Sequence, residues 1–260
     1  MSRIVIEPCG NAWKDSPSEP HLDVAECFCE AFQGEGVYSG VPAVFLRLSG
    51  CRLKCMWCDT AETWSKANRI SLDGLERIFV SEGLVGLLDS GHHLVVTGGS
   101  PLLQQDMLAV FLRRLADICI GKPFVEIENE CTIPVAAVND DMFRLIDCWN
   151  CSPKLADSGV PENMRYCPEA VRQVSERAEE SWFKFVIPAE SPETAWDEIE
   201  SMFIRPGLVS RSRIILMPEG ASRSELNPLR CRTVAEFAVS RNVRYGGRLH
   251  IDLYDTRKSV

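Results

Sequence analysis

Three cysteines within eight residues constrain this chain more than any other feature of its sequence. Cys51, Cys55 and Cys58 are spaced C-x3-C-x2-C, and only a tightly wound loop can direct all three thiols at one object. Thiolates are the usual ligands of iron in iron–sulfur clusters, and a complete [4Fe-4S] site normally has four of them. The triplet therefore predicts a cluster in which one iron has no protein ligand.

Two other interpretations of this triplet stay open. A structural zinc site takes four protein ligands, usually from a second C-x2-C pair or from paired histidines, and the neighbouring sequence offers neither. The triplet could also consist of buried structural cysteines. The other cysteines are interpreted as small buried hydrophobic residues, although the pairs Cys27/Cys29 and Cys148/Cys151 leave an auxiliary site open.

Composition favours one soluble domain that acts on a small molecule. The 260 residues are 45% hydrophobic, enough for one core. The net charge of -9 is spread without a basic run, which argues against a nucleic-acid binder. We find no secretory signal and no stretch of about 18 apolar residues. Twelve cysteines in so long a chain then indicate reduced thiols and a cytoplasmic location.

Strand-like runs alternate with amphipathic helical stretches along most of the chain. Residues 1–21 lack this periodicity and are predicted to be a mobile lead-in, so the catalytic domain is placed at 22–260. The alternation predicts an α/β fold with a parallel sheet, open or partly closed into a barrel. In such a sheet the loops after the strands form the reactive face, and the motifs at Gly98, Ser152 and Pro218 follow predicted strands. The predicted strands are 24–28, 43–48, 94–97, 124–128, 144–147, 182–187, 213–217 and 248–253, and the predicted helices are 71–82, 105–119, 169–179, 192–203 and 224–241.

The residues around the triplet resemble a known enzyme family. The C-x3-C-x2-C loop is the hallmark of the radical S-adenosylmethionine superfamily, whose fold is a partial, incomplete TIM-like barrel. The flanking motifs are similar to those of the 7-carboxy-7-deazaguanine synthases, in the same order from about residue 22 to the terminus. These motifs lie at residues 32–36, 40–47, 57–60, 97–99, 101–104, 126–128, 152–154, 217–220 and 248–260.

The resemblance implies a radical ring contraction. In this reaction 6-carboxy-5,6,7,8-tetrahydropterin becomes 7-carboxy-7-deazaguanine with loss of ammonia. The reduced cluster would split S-adenosylmethionine, and the 5'-deoxyadenosyl radical would take a hydrogen atom from C6 of the substrate. The cofactor supplies such chemistry, while the protein contributes position, exclusion of water and electrostatics. The resemblance also implies Mg2+, an electron donor of the flavodoxin or ferredoxin type, and a homodimer.

Matching positions in the family imply the contacts to S-adenosylmethionine. Gly99 is expected where the backbone approaches the methionine end of the cofactor, since a residue without Cβ permits close approach. Ser100 stands where most of the family has a glutamate that accepts a hydrogen bond from the cofactor's amino group. Either this serine makes a weaker or water-mediated contact, another acceptor replaces it, or cofactor affinity has fallen. The other predicted cofactor-binding residues are Ser152, Pro153, Lys154, Met217, Pro218, Glu219 and Gly220.

The resemblance implies a substrate site and a magnesium site as well. Arg47 is expected to bind the substrate's carboxylate, because a planar guanidinium binds a carboxylate bidentately. Thr60 corresponds to a magnesium ligand, with water and substrate oxygens completing the coordination, and Asp59 could serve its outer shell. The other predicted substrate contacts are Phe32, Gln33, Gly34, Glu35, Thr97, Glu128, His250 and the terminal carboxylate of Val260.

Two other functions stay open from sequence alone. A different radical reaction of the same superfamily, such as activation of a glycyl-radical enzyme, would use the triplet but would not explain the motifs on the pterin side. The chain could also be a non-catalytic protein that binds zinc, or a cluster as a redox sensor. The departure at Ser100 keeps the second option open.

Overall fold

An open sheet of ten strands runs through residues 2–8 and 19–260, which are the residues that the computed structural model describes. Its order is β1-β2-β3-β5-β6-β7-β8-β9-β10, and β4 pairs with β2 beside β1. Neighbours from β3 to β10 are parallel, whereas β1, β2 and β4 pair antiparallel. The strands are β1 (Arg3–Ile6), β2 (His21–Phe32), β3 (Pro42–Leu48), β4 (Asn68–Ser71), β5 (His93–Gly98), β6 (Val125–Asn129), β7 (Cys148–Cys151), β8 (Glu180–Ile187), β9 (Ile214–Pro218) and β10 (Arg244–Tyr245).

Helices lie between the parallel strands, which need long connections to return to the same end of the sheet. The last turns of α7 continue as a π-helix, Glu200–Ile204. Short 3-10 helices occur at Ala61–Trp64, Pro101–Gln104, Ala137–Asn139, Ala156–Ser158 and Arg211–Arg213. The α-helices are α1 (Leu72–Ser81), α2 (Leu84–Asp89), α3 (Gln105–Ile118), α4 (Met142–Leu145), α5 (Glu162–Arg165), α6 (Pro168–Arg177), α7 (Pro192–Ile199), α8 (Pro228–Ser240) and α9 (Leu249–Tyr254).

Helix α1 shows how the sequence produces these elements. It begins after Ser71, whose hydroxyl accepts a hydrogen bond from the backbone N–H of Gly74 at 3.1 Å. Its buried residues Leu72, Leu75 and Phe79 recur at helical spacing. The ring of Phe79 meets Phe111 of α3 edge to face, with 5.2 Å between centroids. One apolar stripe thus fixes α1 against α3.

The predicted α/β class and the open, partly barrel-like sheet are confirmed. Residues in the parallel strands are buried on both faces, as in all five positions of β9, because helices cover such sheets. The predicted motifs lie at the ends of strands: Ser152 follows β7 as predicted, whereas Gly98 and Pro218 are the last residues of β5 and β9. No helix among the described residues has both the length and the apolar character needed to cross a lipid bilayer.

Two predicted strands are wrong. Residues 144 and 145 end α4, residues 146 and 147 follow it without regular structure, and the strand is the next segment, Cys148–Cys151. The buried polar Asn150 in that segment interrupts the apolar pattern by which a buried strand is recognised. Residues 248–253 alternate like a strand, but 249–253 belong to α9 and Arg248 precedes it, while the strand that pairs with β9 is the shorter segment β10.

Two predicted boundaries also change. Helix α8 begins after Asn227 and not at Ser224, because Asn227 caps the helix by accepting from Leu229 and Arg230 N–H groups, each at 3.1 Å. Part of the predicted lead-in is strand β1, which pairs with residues 27–29 of β2, and β2 itself begins at His21. Residues 9–18 of the lead-in lie outside the described residues.

The central strands should carry much of the stability of the fold. Ile127 of β6 is 0% exposed, so Ile127→Ala should lower the free energy of unfolding by about 2–5 kcal/mol through lost burial and a residual cavity. Ile120 is 94% exposed, and the matched Ile120→Ala should change it by no more than about 0.5 kcal/mol. Urea denaturation measures both, and equal losses would contradict the buried position of β6.

Candidate active site

A cavity of about 470 Å³ opens where the parallel strands end. Strand residues from β3 to β9 line its floor, including Arg47, Thr97, Lys184 and Met217. The cysteine loop forms one wall, and the last six residues, 255–260, form another. The sheet therefore collects side chains that are far apart in the sequence at one edge, as expected for the reactive face of a parallel sheet.

Most of the predicted site residues line this one cavity. They include the predicted cluster and magnesium ligands Cys51, Cys55, Cys58 and Thr60. They also include all the predicted substrate contacts, Phe32, Gln33, Gly34, Glu35, Arg47, Thr97, Glu128, His250 and Val260. Of the predicted cofactor contacts, Gly99, Ser152, Lys154 and Met217 line the cavity, whereas Ser100, Pro153, Pro218, Glu219 and Gly220 are not part of its lining.

The three cysteines of the loop face the cavity from a small apolar cluster. Cys55 packs with Leu53 and Val160, and Cys51 and Cys58 lie against this cluster. Burial raises the pKa of the Cys55 thiol to about 11, although the charge of Lys154 opposes the shift. A metal bound there would deprotonate the thiol outright.

The three thiols line one cavity, but they do not form a recognisable site for a single metal ion within the described residues. Among the described residues, no three or more His, Cys, Asp or Glu side chains are close enough together to hold one metal ion. Zinc needs four ligands, with sulfurs at about 2.3 Å from the metal, so the geometry gives no support to a closed zinc site or to an auxiliary metal site. Three thiols around one cavity fit a larger polynuclear group with one position left open.

Two glycines allow the loop after β5 to pack directly on the cysteine loop. Leu48 and Gly98 are register partners at the ends of β3 and β5. A Cβ on Gly98 would lie 2.0 Å from the Leu48 carbonyl oxygen, and one on Gly99 would lie 2.1 Å from the Gly50 carbonyl oxygen and 2.9 Å from Cys51 Cβ. Gly99 therefore lacks a side chain where its backbone packs against the cysteine loop. The approach predicted from sequence was a different one, to the methionine end of the cofactor.

Arg47 is held by a neighbouring strand. Glu26 of β2 lies opposite Arg47 of β3 in the register, and the Arg47 Nε–H donates to Glu26 Oε1 at 2.7 Å. The other oxygen of Glu26 accepts from the Ser259 hydroxyl at 2.7 Å. Within the described residues the terminal nitrogens of Arg47 make no hydrogen bond, which leaves the fork of the guanidinium available for a carboxylate.

Gln33 is oriented by two carboxylates. Its Nε2 donates to Glu126 Oε2 at 3.3 Å and to Glu128 Oε1 at 3.5 Å, while its Oε1 accepts from the backbone N–H of Glu35 at 3.3 Å. Asn150 Nδ2 also donates to Glu126 Oε2, at 2.7 Å. Glu126 is 0% exposed, so these bonds replace the water that a buried carboxylate requires.

Glu35 forms a buried ion-pair group. Lys184 Nζ contacts its carboxylate, and Arg248 Nε lies 3.4 Å from its Oε1. Burial alone would raise the pKa of Glu35, but the charges of Lys184, Arg248 and His250 outweigh it and lower the pKa. Arg248 Nη1 also reaches Asp59 Oδ2 at 3.2 Å, which connects this group to the end of the cysteine loop.

Helix α9 brings His250 to the substrate side of the cavity. An added Cβ on Gly34 would lie 2.2 Å from His250 Nδ1, and the backbone N–H of Leu249 donates to the Gly34 carbonyl at 2.9 Å. The absence of a side chain at Gly34 therefore makes room for His250. The wrong strand assignment for 248–253 did not affect the predicted location of this histidine.

Several residues of the site were missed from sequence. Glu26 and Lys184 carried a signal, because a charge inside an otherwise apolar strand is seldom buried without a partner. The hydrogen bond between Asn150 and Glu126 could not be predicted from sequence, because it depends on their two strands being neighbours in the sheet. His93, whose Nδ1 lies 2.7 Å from Glu126 Oε1, gave no signal.

Known proteins resemble this chain in sequence and in fold. Residues 32–132 match the family described as a 4Fe-4S single cluster domain. The 7-carboxy-7-deazaguanine synthase of Pyrobaculum aerophilum is 34% identical over 238 residues, which cover 89% of this chain and 94% of that protein. The enzyme of the same name from Hyperthermus butylicus is 31% identical over 242 residues, covering 92% and 95%.

The structural comparison agrees at the level of the fold. The crystal structure of QueE from Escherichia coli matches with a TM-score of 0.62 and 24% sequence identity. The match covers 88% of this chain and 95% of that chain. The open sheet and its crossovers are therefore a shared architecture.

A side chain at Gly99 should separate the two loops. We expect Gly99→Ala to lower the free energy of unfolding by about 1–3 kcal/mol, because the new methyl group meets backbone atoms that cannot rotate away. Gly121→Ala is the matched control, since a Cβ there meets nothing within 4 Å. Thermal unfolding measures both, and equal stability of the two variants would contradict the close packing.

Removing the Lys184 ammonium should leave Glu35 with Arg248 as its remaining close cation. Lys184→Met should lower the free energy of unfolding near neutral pH by about 3–5 kcal/mol, toward the lower end because Arg248 still contacts Glu35. A lowered carboxyl pKa stabilises the fold above the pKa of the unfolded group, and this contribution is lost as the pH falls. The deficit of the variant should therefore shrink below about pH 4.

Urea denaturation across that pH range tests the role of this ion pair. The double variant Glu35→Gln/Lys184→Met removes both charges and should recover most of the loss. A deficit that is independent of pH and equal in the single and double variants would show that Lys184 acts through packing alone.

Proposed function

This chain belongs to the 7-carboxy-7-deazaguanine synthase family, and we propose that its cavity converts 6-carboxy-5,6,7,8-tetrahydropterin into 7-carboxy-7-deazaguanine with release of ammonia. One observation carries the proposal: the three loop cysteines and every predicted substrate contact line the same cavity. An activase of a glycyl-radical enzyme, or a redox sensor, would need the cysteines but not the residues of the substrate side. The protein is accordingly assigned as a lyase that acts on a small molecule.

Cys51, Cys55 and Cys58 would hold the [4Fe-4S] cluster, and S-adenosylmethionine would complete it. Together the two groups supply the radical chemistry when bound. Four residues that line the cavity support a cofactor site beside the loop: Gly99, Ser152, Lys154 and Met217. Lys154 is held in place there, with Nζ 2.9 Å from the Ser152 hydroxyl and 5.2 Å from the centre of the Trp57 ring.

The substrate side contributes recognition and orientation. The free fork of Arg47 suits the substrate's carboxylate, with Nε–H already bonded to Glu26. Gln33 and Glu128 present amide and carboxylate groups, which match the donors and acceptors of an aminopyrimidinone ring. The terminal residues 255–260 line this side of the cavity, and the Ser259 hydroxyl donates to the same Glu26 carboxylate that holds Arg47.

The proposal extends to the remaining cofactor and partners. Thr60 would bind Mg2+ together with water and substrate oxygens; its hydroxyl lines the cavity 3.8 Å from Cys58 Sγ. Asp59 would act indirectly, since its carboxylate pairs with Arg248. An electron donor of the flavodoxin or ferredoxin type would reduce the cluster. The homodimer rests on the family resemblance alone.

Anaerobic reconstitution with iron and sulfide tests this function. We expect the protein to gain iron–sulfur absorbance and, with reductant, S-adenosylmethionine and the carboxypterin, to form 7-carboxy-7-deazaguanine, detected by mass spectrometry. Arg47→Met should lower kcat/KM about 10- to 100-fold, because it loses charge-assisted bonds to the substrate. Arg205→Met, a change at a side chain 72% exposed, should leave the rate unchanged.

The outcomes separate the parts of the proposal. If 5'-deoxyadenosine forms without the deazaguanine, the substrate assignment is wrong. If no cluster assembles in the wild-type protein, while Cys55→Ala behaves identically, the cofactor assignment is wrong. An unchanged rate in Arg47→Met would remove this arginine from the substrate site.

A further inference from the structure

The hydroxyl of Ser100 contacts a cysteine sulfur and does not cap the helix that follows it. Ser100 precedes the 3-10 helix Pro101–Gln104, at the position where a serine normally accepts a hydrogen bond from the first turn, but its side chain makes no such bond. Its Oγ lies 3.7 Å from Cys51 Sγ. Ser100 is 1% exposed, and a buried hydroxyl needs a partner. Within the described residues, the Cys51 sulfur is that partner.

The contact is fixed by the backbone on both sides. The Ser100 N–H donates to the Gly50 carbonyl at 2.7 Å, and the Gly99 N–H donates to the Leu48 carbonyl at 3.1 Å. Because Gly99 has no Cβ, these two loops approach as closely as their backbones allow. Main-chain packing therefore holds the backbones of Ser100 and Cys51 close enough for their side chains to meet.

We propose that Ser100 donates a hydrogen bond to the Cys51 thiolate and thereby raises the reduction potential of the cluster that the loop holds. The inference rests on the proposed function, because it requires that cluster. A cysteine that ligates iron has lost its proton, so the serine must be the donor. Donation to a ligand sulfur draws off negative charge, which stabilises the more negative reduced cluster more than the oxidised one.

This role is distinct from the cofactor contact predicted for Ser100 from sequence. The residue lies behind the lining of the cavity, on the side of the cysteine loop that faces β5. The other two thiols have different neighbours. Cys55 is influenced by the charge of Lys154, and Cys58 lies 3.8 Å from the Thr60 hydroxyl. Loss of the Ser100 hydrogen bond should therefore shift the reduction potential of the cluster, while the three cysteines still bind the cluster.

The test is a redox titration of the reconstituted protein in the absence of S-adenosylmethionine. Electron paramagnetic resonance monitors the reduced cluster at each potential. Ser100→Ala should have a more negative midpoint potential, on the order of a tenfold change in the reduced-to-oxidised ratio, or about 59 mV for one electron. Ser158→Ala is the matched control. Ser158 is also buried beside the loop, but its hydroxyl donates to the Leu155 carbonyl at 2.6 Å, so this variant should keep the wild-type potential.

A second measurement detects the proposed hydrogen bond directly and not through the potential. In wild-type protein reconstituted in D2O and reduced, electron–nuclear double resonance should detect an exchangeable deuteron close to the cluster that the Ser100→Ala protein lacks. An unchanged or more positive potential in Ser100→Ala overturns the inference, as does the absence of that deuteron from the wild type. A wild-type protein that binds no cluster instead refutes the proposed function and the inference with it.

Discussion

The parallel pairing of β3 with β5 is the constraint on which the rest of the site depends. Both strands end at the same level, with Leu48 opposite Gly98, so the cysteine loop and the glycine loop leave the sheet side by side. Neither Gly98 nor Gly99 could carry a side chain without striking the backbone of the other loop. The start of the cysteine loop, at Gly50 and Cys51, is thus placed relative to the sheet by direct contact with the backbone of Gly99.

Several of the charges buried in this site are compensated by a partner of opposite sign. Glu35 lies between Lys184 and Arg248. Glu26 accepts from one nitrogen of Arg47, whose other nitrogens make no hydrogen bond to the part of the chain that the structure describes. Such pairs contribute little net stability compared with apolar residues of the same size. Their value lies in orientation, because each fixes a polar group that faces the cavity. The cavity is therefore prepared for a charged, planar ligand before that ligand arrives.

Elements determined by interactions between residues close in sequence were predicted well, whereas elements determined by contacts between separate strands were not. Helix α1 was predicted almost to the residue, since its Ser71 cap and apolar stripe are local signals. The segment 248–253 was assigned to the wrong class, because its alternation suits a strand, whereas the strand that pairs with β9 is β10. The same limit hid Asn150 and Glu126, whose hydrogen bond joins two strands that are distant in sequence.

The sequence by itself determined the chemistry of this protein: the cysteine spacing, the order of the motifs and the alternation of strands and helices were sufficient for the cluster loop, the family and the fold class. The tertiary structure decided which side chains within the site contact one another. It turned Ser100 toward Cys51, paired Arg47 with Glu26 and enclosed Lys184 beside Glu35. The reason is physical, since spacing along the chain encodes local geometry, whereas a contact between strands exists only once the sheet has set their order and register.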